Sequence, residues 1–258
     1  NTQTNYHLMM KNKIKYSFLI ISIFILINLG QGCQKNPATG DSEFNLLSES
    51  EEDAIGRSEH QKIIKQFGGE YENSKLKNYV ESLGNFLVST SELSDKEFTF
   101  TILNTPIINA FALPGGFVYL TRGLIYLCQN EAQLAGVIAH EIGHITARHS
   151  ARRYTKSVGT GVLLQILNVF SQNNFVNNLL GQSAQLYLLS YSRSQEYQAD
   201  QLAVRYMVRA GFDAKEMANF LRIMEEYAEV QREILKIKNK VSELLKTHPN
   251  SSKRVQEV

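Results

Sequence analysis

Cysteine is scarce in this sequence, and neither sign of charge predominates. Cys33 and Cys128 are the two cysteines among 258 residues, and Cys128 lies in the apolar stretch GLIYLCQN, where no neighbouring group would activate a thiol. We therefore interpret Cys128 as a small core residue. The chain holds 27 lysine and arginine residues against 25 aspartate and glutamate residues, a balance that gives no reason to expect nucleic acid as a partner.

Long hydrophobic runs are also absent after residue 33, and the run before it is short. Residues 17–29, SFLIISIFILINL, follow three lysines and precede GQGC, which ends at Cys33. This order is typical of a secretory signal peptide, whereas a membrane-spanning helix needs ~20 apolar residues. We expect residues 1–33 to be a lipoprotein-type signal peptide with Cys33 acylated. Gly30 stands where such signals prefer an aliphatic residue, so an ordinary signal peptidase site and an uncleaved anchor remain alternatives.

The remaining residues, 34–258, predict one α+β domain. Hydrophobic residues make up 43% of the chain, which is enough for one sizeable core. Capping signals, hydrophobic periodicity and glycine turns mark the elements. The predicted helices cover about 48–67, 74–89, 130–153 and 193–209, with 213–246 as one long helix or a helical pair, and the predicted strands cover 98–103 and both arms of a hairpin over 109–121. Residues 158–189 show no clear pattern. The sequence therefore predicts a helix-rich domain with a small sheet packed beside the helix at 130–153.

That helix contains the pattern H-E-x-x-H. His140 and His144 are four residues apart, which separates them by ~40° around a helix, so both imidazoles can reach one ion. Glu141 lies ~100° from His140, too far round to be a ligand but beside the ion's open position. Zinc favours nitrogen and carboxylate ligands, and a catalytic site keeps one position for water. The pattern predicts a catalytic zinc site with Glu141 as general base. A scaffold without metal would leave both histidines unexplained.

A third histidine, His149, raises the question of the third ligand. It follows His140 by nine residues, ~900° of helix, so a continuous helix to Arg153 would turn it half a turn away from the ligand face. Metzincins avoid this with a glycine that breaks the helix, followed by a histidine. Here Ala147 and Ser150 occupy those two positions. We therefore expect His149 to be a surface or second-layer histidine and not a ligand.

The stretch SRSQEYQAD provides another candidate for the third ligand. Glu196 and Asp200 are four residues apart on a predicted helix. Glu196 would bind the ion, while Asp200 would accept the other N–H of a ligating histidine and fix its ring. Spacing alone leaves a solvated helix face as an equal alternative.

Several motifs together carry a family resemblance. The stretches NPATG, NAFALPGGFVYLTRGL, NEAQLAGVIAHEIGHITARH, SRSQEYQAD and THPNSSKR closely resemble the CAAX prenyl protease-type zinc metallopeptidases, in particular their bacterial lipoprotein branch without C-terminal helical repeats. The resemblance implies a gluzincin fold and one zinc ion per chain. It further implies zinc ligation by His140, His144 and Glu196, catalysis by Glu141 as base, His248 near the open zinc position, and support of the site by Asp200 and Arg254.

The function expected from these features is a zinc endopeptidase of the bacterial cell envelope. It would lie on the periplasmic side, with a lipid anchor in the outer membrane favoured over the inner, and would cleave unfolded or misassembled envelope proteins. A predicted edge strand would bind extended substrate through main-chain hydrogen bonds, and its residues are Asn109, Ala110, Phe111 and Ala112.

Two alternatives stay open. A chaperone-like envelope assembly factor with latent or structural zinc is the rival function, although a purely structural site has no need of Glu141. His248 would be a capping or surface residue on the sequence alone. With the resemblance, His248 becomes either a transition-state donor or a reversible fourth ligand that keeps the enzyme latent.

Overall fold

The computed structural model describes residues 33–156 and 191–235, together with His248 and Arg254. The predicted signal peptide up to residue 32, the segment 158–189 and the predicted helix beyond residue 235 lie outside the described residues. The strands are β1 (Cys33–Lys35), β2 (Ser42–Phe44), β3 (Thr99–Leu103), β4 (Ala110–Leu113) and β5 (Phe117–Thr121). The helices are α1 (Glu49–Gln66), α2 (Ser74–Ser89), α3 (Arg122–Leu127), α4 (Glu131–Thr146), α5 (Arg193–Arg209) and α6 (Lys215–Leu235). This arrangement confirms the predicted helix-rich α+β fold.

Local sequence explains where the main helices begin. The Ser48 side chain accepts the N–H of Glu51, and the Glu51 carboxylate accepts the N–H of Ser48, so α1 starts with a full capping box. Asn130 caps α4 by accepting the backbone N–H of Gln133 at 2.9 Å. Ser192 and Gln195 form a second capping box at the start of α5. These caps satisfy backbone donors that a helix start leaves free.

The three-stranded sheet has the order β3-β5-β4 and is covered on both faces. β5 pairs in parallel with β3 and antiparallel with β4, and Gly115 and Gly116 make the β4–β5 turn with φ of +84° and +90°, where glycine carries no steric penalty. Side chains alternate across β4, because successive residues of a strand point to opposite faces. Phe111 and Leu113 pack with α1, whereas Ala110 and Ala112 join the larger core that includes α2 and α4.

This packing determines what the predicted substrate strand exposes. The side chains of Asn109, Ala110, Phe111 and Ala112 are all buried. Within the described residues β4 pairs only with β5, so its other backbone edge is the part that could pair with a further strand.

Cys128 packs partly buried against the larger core, and burial raises the pKa of its thiol to about 12.

The prediction that the metal helix continues to Arg153 is wrong. Helix α4 ends at Thr146, Arg148 takes a left-handed backbone with φ of +51°, and a new helical segment runs from residue 149 to 156. The break is stabilised by groups distant in sequence. The Arg148 guanidinium contacts Glu52 on α1, and the Asn36 side chain donates to the carbonyl of Thr146 at 2.9 Å. These contacts satisfy the end of α4, and no local pattern predicts them.

The segment before α1 has structure that the sequence did not predict. β1 and β2 form a two-stranded antiparallel pair, joined by a turn in which the Asn36 side chain accepts the N–H of Ala38 at 2.9 Å. Among the described residues, no helix has both the length and the apolar character needed to cross a membrane.

Candidate metal centre

Four buried side chains bring their metal-binding atoms together. His140 and His144 come from α4, Glu196 comes from α5, and His248 comes from the C-terminal segment. One ligand atom from each lies within 4.8 Å of the others. Side chains separated by more than 100 positions in sequence thus meet at one point in the protein interior.

The distances between these atoms fit a four-coordinate zinc ion. Nε2 of His140 and Nε2 of His144 are 3.0 Å apart, and the two Glu196 oxygens each lie 3.5 Å from one of them, Oε2 from His140 and Oε1 from His144. Nδ1 of His248 lies 3.3 Å from His140 Nε2 and 3.1 Å from Glu196 Oε1. Ligand atoms bound tetrahedrally at ~2.0–2.1 Å would be about 3.3 Å apart. The nitrogen and carboxylate donors are also the types that zinc favours.

A close approach between two helices positions three of these residues. Gly143 lies on α4 between the two histidines, and a Cβ atom there would lie 2.9 Å from the carbonyl oxygen of Ala199 on α5. Glycine therefore lets the two backbones approach closely. The four-residue spacing of His140 and His144 then presents both rings to the turn of α5 that carries Glu196.

Asp200 and Arg254 surround the site with charge. Asp200 Oδ1 lies 2.9 Å from Nδ1 of His140, which turns Nε2 of that ring towards the other donors. Arg254 donates from Nε and Nη2 to the two Asp200 oxygens at 2.6 and 2.7 Å, and its Nη1 lies 2.8 Å from Glu196 Oε2. One guanidinium thus contacts two buried carboxylates and weakens the repulsion between them.

The electrostatic setting gives each group a different affinity for protons. Burial opposes protonation of His140, but its contacts with Asp200 and Glu196 outweigh burial and raise its pKa to about 9. Burial also opposes ionisation of Glu196, yet His248 and His140 hold the pKa of that carboxyl well below its usual range. Burial and the charge of His140 lower the pKa of His144. The ligand set therefore combines an ionised carboxylate with imidazoles of unequal basicity.

Glu141 lies beside the four donors without being one of them. Its Oε1 is 3.5 Å from Nε2 of His248, and its Oε2 is buried without a hydrogen-bond partner. Nε2 of His248 is likewise buried and unpartnered. Burial raises the pKa of Glu141, and the charges of His248 and His140 counter only part of that effect. A carboxylate with a raised pKa suits proton transfer near neutral pH.

The structure decides between the two positions predicted for His149, the surface and the second layer. The residue is fully buried, not on the surface, because the break after Thr146 turns it back towards α4. Its Nδ1 lies 2.8 Å from Nδ1 of His144, so it lies in a second layer around the site and not in the donor set. Tyr191 stacks on the His144 ring with centroids 3.8 Å apart, and Arg153 lies over Tyr191. No spacing pattern in the sequence pointed to these partners.

An apolar pocket adjoins the donors. Its lining combines α4 residues that precede H-E-x-x-H, residues of α6 and several side chains of the candidate site. The lining residues are Gly136, Val137, His140, Glu141, Met217, Phe220, Leu221, Met224, His248 and Arg254. A peptide carbonyl held near Glu141 would therefore place a neighbouring side chain against apolar surface.

The fold and this site define the class of gluzincin-type H-E-x-x-H proteins, and comparison with known proteins identifies the family. The sequence model of peptidase family M48 matches residues 74–258, so the chain belongs to that family. A beta-barrel assembly-enhancing protease of Yersinia pestis is 35% identical over 189 residues, which is 70% of this chain and 37% of the relative. The protein of that name from Escherichia coli is 34% identical over 189 residues, again 70% of this chain and 37% of the relative.

Mitochondrial relatives match a longer part of the chain at lower identity. The mitochondrial metalloendopeptidase OMA1 of Schizosaccharomyces pombe is 28% identical over 228 residues, which is 86% of this chain and 64% of the relative. By comparison, the chain spans less than two-fifths of the length of the two bacterial relatives, from Yersinia pestis and Escherichia coli.

Proposed function

We propose that this protein is a zinc endopeptidase of the bacterial cell envelope that hydrolyses peptide bonds in unfolded or misassembled envelope proteins. The observation that carries the proposal is a buried set of histidine and carboxylate donors with the separate carboxylate of Glu141 beside it. Membership of peptidase family M48 supports the reaction, and the similarity to beta-barrel assembly-enhancing proteases supports the envelope setting.

Each residue of the site has a proposed role. His140, His144 and Glu196 would hold one zinc ion, which when bound polarises the scissile carbonyl and lowers the pKa of its water towards ~7. Glu141 accepts a proton from the attacking water and passes it to the leaving amine. Asp200 fixes the ring of His140 through Nδ1, and Arg254 keeps Asp200 ionised and contacts Glu196.

The substrate would bind through its backbone and through one apolar side chain. β4 offers a backbone edge, while the side chains of residues 109–112 face the interior and have no part in recognition. Main-chain pairing is independent of substrate sequence, so it suits any chain that is locally unfolded. Val137, Phe220 and Leu221 line the pocket beside Glu141 and would favour an apolar residue next to the cleaved bond.

His248 is proposed to act as a latch. Its Nδ1 lies 3.1 Å from Glu196 and 3.3 Å from His140, distances no longer than the 3.5 Å between Glu196 and His140. This spacing supports His248 as a fourth metal ligand more strongly than as a hydrogen-bond donor to the substrate. A fourth protein ligand closes the position that catalysis needs for water. Release of His248 would open the site.

The closed donor set also favours a second candidate function. Four protein ligands are typical of structural zinc, so a chaperone-like assembly factor with a latent or structural zinc site is the alternative. The raised pKa of Glu141 favours the enzyme, since a structural site requires no buried base.

Zinc content and hydrolysis of unfolded casein test the two functions together. Glu141→Gln should keep one zinc per chain and lose at least ~10²-fold in turnover, the usual cost of removing a general base. Glu196→Ala should lose most of the zinc, because a ligand is removed. Glu226→Gln, an exposed glutamate on α6, is the matched control and should change neither quantity. Unchanged turnover in Glu141→Gln would exclude the proposed peptidase mechanism, and bound zinc without casein hydrolysis in the parent and in His248→Ala would favour the assembly factor.

A further inference from the structure

A chain of hydrogen bonds leads from His144 to the N-terminal segment. Nδ1 of His144 lies 2.8 Å from Nδ1 of His149, and Nε2 of His149 lies 2.9 Å from Oε1 of Gln198. The Gln198 amide nitrogen donates in turn to Asp41 Oδ2 at 3.1 Å. Three successive contacts thus connect a zinc-site histidine to an exposed carboxylate outside the family match.

The chemistry of the last residue determines the direction of every bond. Ionised Asp41 can only accept, so Gln198 must turn its amide N–H₂ towards Asp41 and its carbonyl oxygen towards His149. That oxygen can only accept, so Nε2 of His149 carries the hydrogen. A neutral imidazole has one N–H, which leaves Nδ1 of His149 as an acceptor. His144 must therefore donate from Nδ1, and its Nε2 keeps the lone pair that faces the other donors.

We propose that His149 is a positioning residue that selects the metal-binding tautomer of His144. The proposal rests on the proposed zinc site but not on peptidase activity. Asp200 does the same for His140 from another side, and no carboxylate is in hydrogen-bond contact with Nδ1 of His144 among the described residues. A neutral imidazole here orients His144 without adding negative charge to a site that already contains Glu196.

The helix break builds this arrangement. On a continuous helix His149 would point away from the site, whereas the left-handed Arg148 brings it back. The Gln195 side chain donates to the backbone carbonyl of His149 at 3.4 Å. Tyr191 stacks on the ring of His144, to which His149 is hydrogen-bonded. The ring of His149 is fully buried and both its nitrogens are engaged.

The rate at which zinc passes to a chromophoric chelator tests the proposal without any peptide substrate. His149→Leu fills the space but removes the acceptor, and it should speed zinc release by ~10–100-fold, the usual effect of losing such a partner. His149→Asn places an amide oxygen near the position of Nδ1 and should recover most of the loss. His60→Leu is the matched control, because His60 on α1 is hydrogen-bonded to Tyr119 on β5 and lies outside the donor set.

Two results would overturn the proposal. One is zinc release from folded His149→Leu within twofold of the parent. The other is a long-range ¹H–¹⁵N spectrum of the zinc-loaded protein in which His149 carries its hydrogen on Nδ1. If His149→Leu does not fold, Gln198→Leu replaces it, and the expected result is faster zinc release than in the His60→Leu control. A failure of casein hydrolysis would affect the proposed function and leave these outcomes unchanged.

Discussion

His140 and His144 share one face of α4 but meet different partners on their outer nitrogens. Asp200 Oδ1 lies 2.9 Å from Nδ1 of His140, while His149 lies 2.8 Å from Nδ1 of His144. A carboxylate partner makes an imidazole a stronger donor than a neutral partner does. Burial lowers the pKa of His149 to about 4, so that ring is neutral at physiological pH. The two proposed ligands therefore differ in basicity, although their spacing makes them look equivalent.

The residue-scale prediction concerns His248. If His248 is a latch, His248→Ala should raise casein hydrolysis roughly tenfold, the gain expected when a closed state that holds about nine-tenths of the molecules is lost. Zinc should remain bound, because His140, His144 and Glu196 are unchanged. X-ray absorption should count three imidazoles on zinc in the parent and two in the variant.

The opposite outcome has a clear form. Two imidazoles in the parent, combined with slower hydrolysis in His248→Ala and an unchanged KM, would make His248 a transition-state donor. Asn219→Ala on α6 provides a control for general effects of substitution near the pocket, since its amide donates to Glu216 and not to the site.

At the scale of elements, the sequence predicts helix starts better than helix ends. Ser48 and Asn130 signal the first turns of α1 and α4 through neighbours three residues away, so short windows contain the information. The end of α4 depends on Arg148, whose left-handed backbone is stabilised by Glu52 of another helix. For this reason His149 was predicted to face away from the site.

The proposed metal ligands also divide into those that a local pattern predicts and one that depends on packing between helices. The four-residue spacing of His140 and His144 is local, so the sequence alone predicted that they share a face. For Glu196, spacing allowed a ligand and a solvated face equally, and only the family resemblance distinguished them. What brings Glu196 to the histidines is the contact of α5 with α4 at Gly143, a property of two helix surfaces and not of either periodicity.

The element-scale prediction tests that contact. Gly143→Ala would place a Cβ 2.9 Å from the Ala199 carbonyl, so α5 must move and carry Glu196 with it. We expect the free energy of unfolding to fall by ~1–3 kcal/mol, as overpacking usually costs, and zinc to bind more weakly. Differential scanning calorimetry and chelator competition measure the two effects.

Gly136→Ala on the same helix is the control. A Cβ there would lie 3.2 Å from Met217 Cβ and 3.4 Å from both Met207 Sδ and Met217 Cα, so each contact is longer than the 2.9 Å contact at Gly143. The ~1 kcal/mol that alanine gains over glycine in a helix offsets part of this crowding. Equal destabilisation by the two substitutions would contradict the view that Gly143 sets the distance between α4 and α5.

At the scale of the whole molecule, the N-terminal segment belongs to the catalytic body. The family match begins at residue 74, yet earlier residues contact the region around the end of α4. Asn36 contacts Thr146, Glu52 contacts Arg148, and Asp41 contacts Gln198 on α5. Arg205 of α5 also donates to the carbonyl of Ala38 at 3.0 Å. One domain from residue 34 onward stays a prediction, and these contacts are an argument for it. They also mean that a membrane anchor at Cys33 would hold the zinc site close to the bilayer.

The last prediction concerns that anchor. We expect Cys33 to be acylated, because a basic stretch, 13 apolar residues and small residues precede it. Two or more acyl chains give firm attachment, whereas 13 apolar residues are too few to span a bilayer comfortably. Cys33→Ser should abolish labelling by a clickable palmitate analogue and leave an unprocessed precursor, while Cys128→Ser should change neither. Mass spectrometry of the mature N-terminus decides between the alternatives, since a free amine at any residue after Leu29 would exclude the lipid and indicate an ordinary signal peptidase.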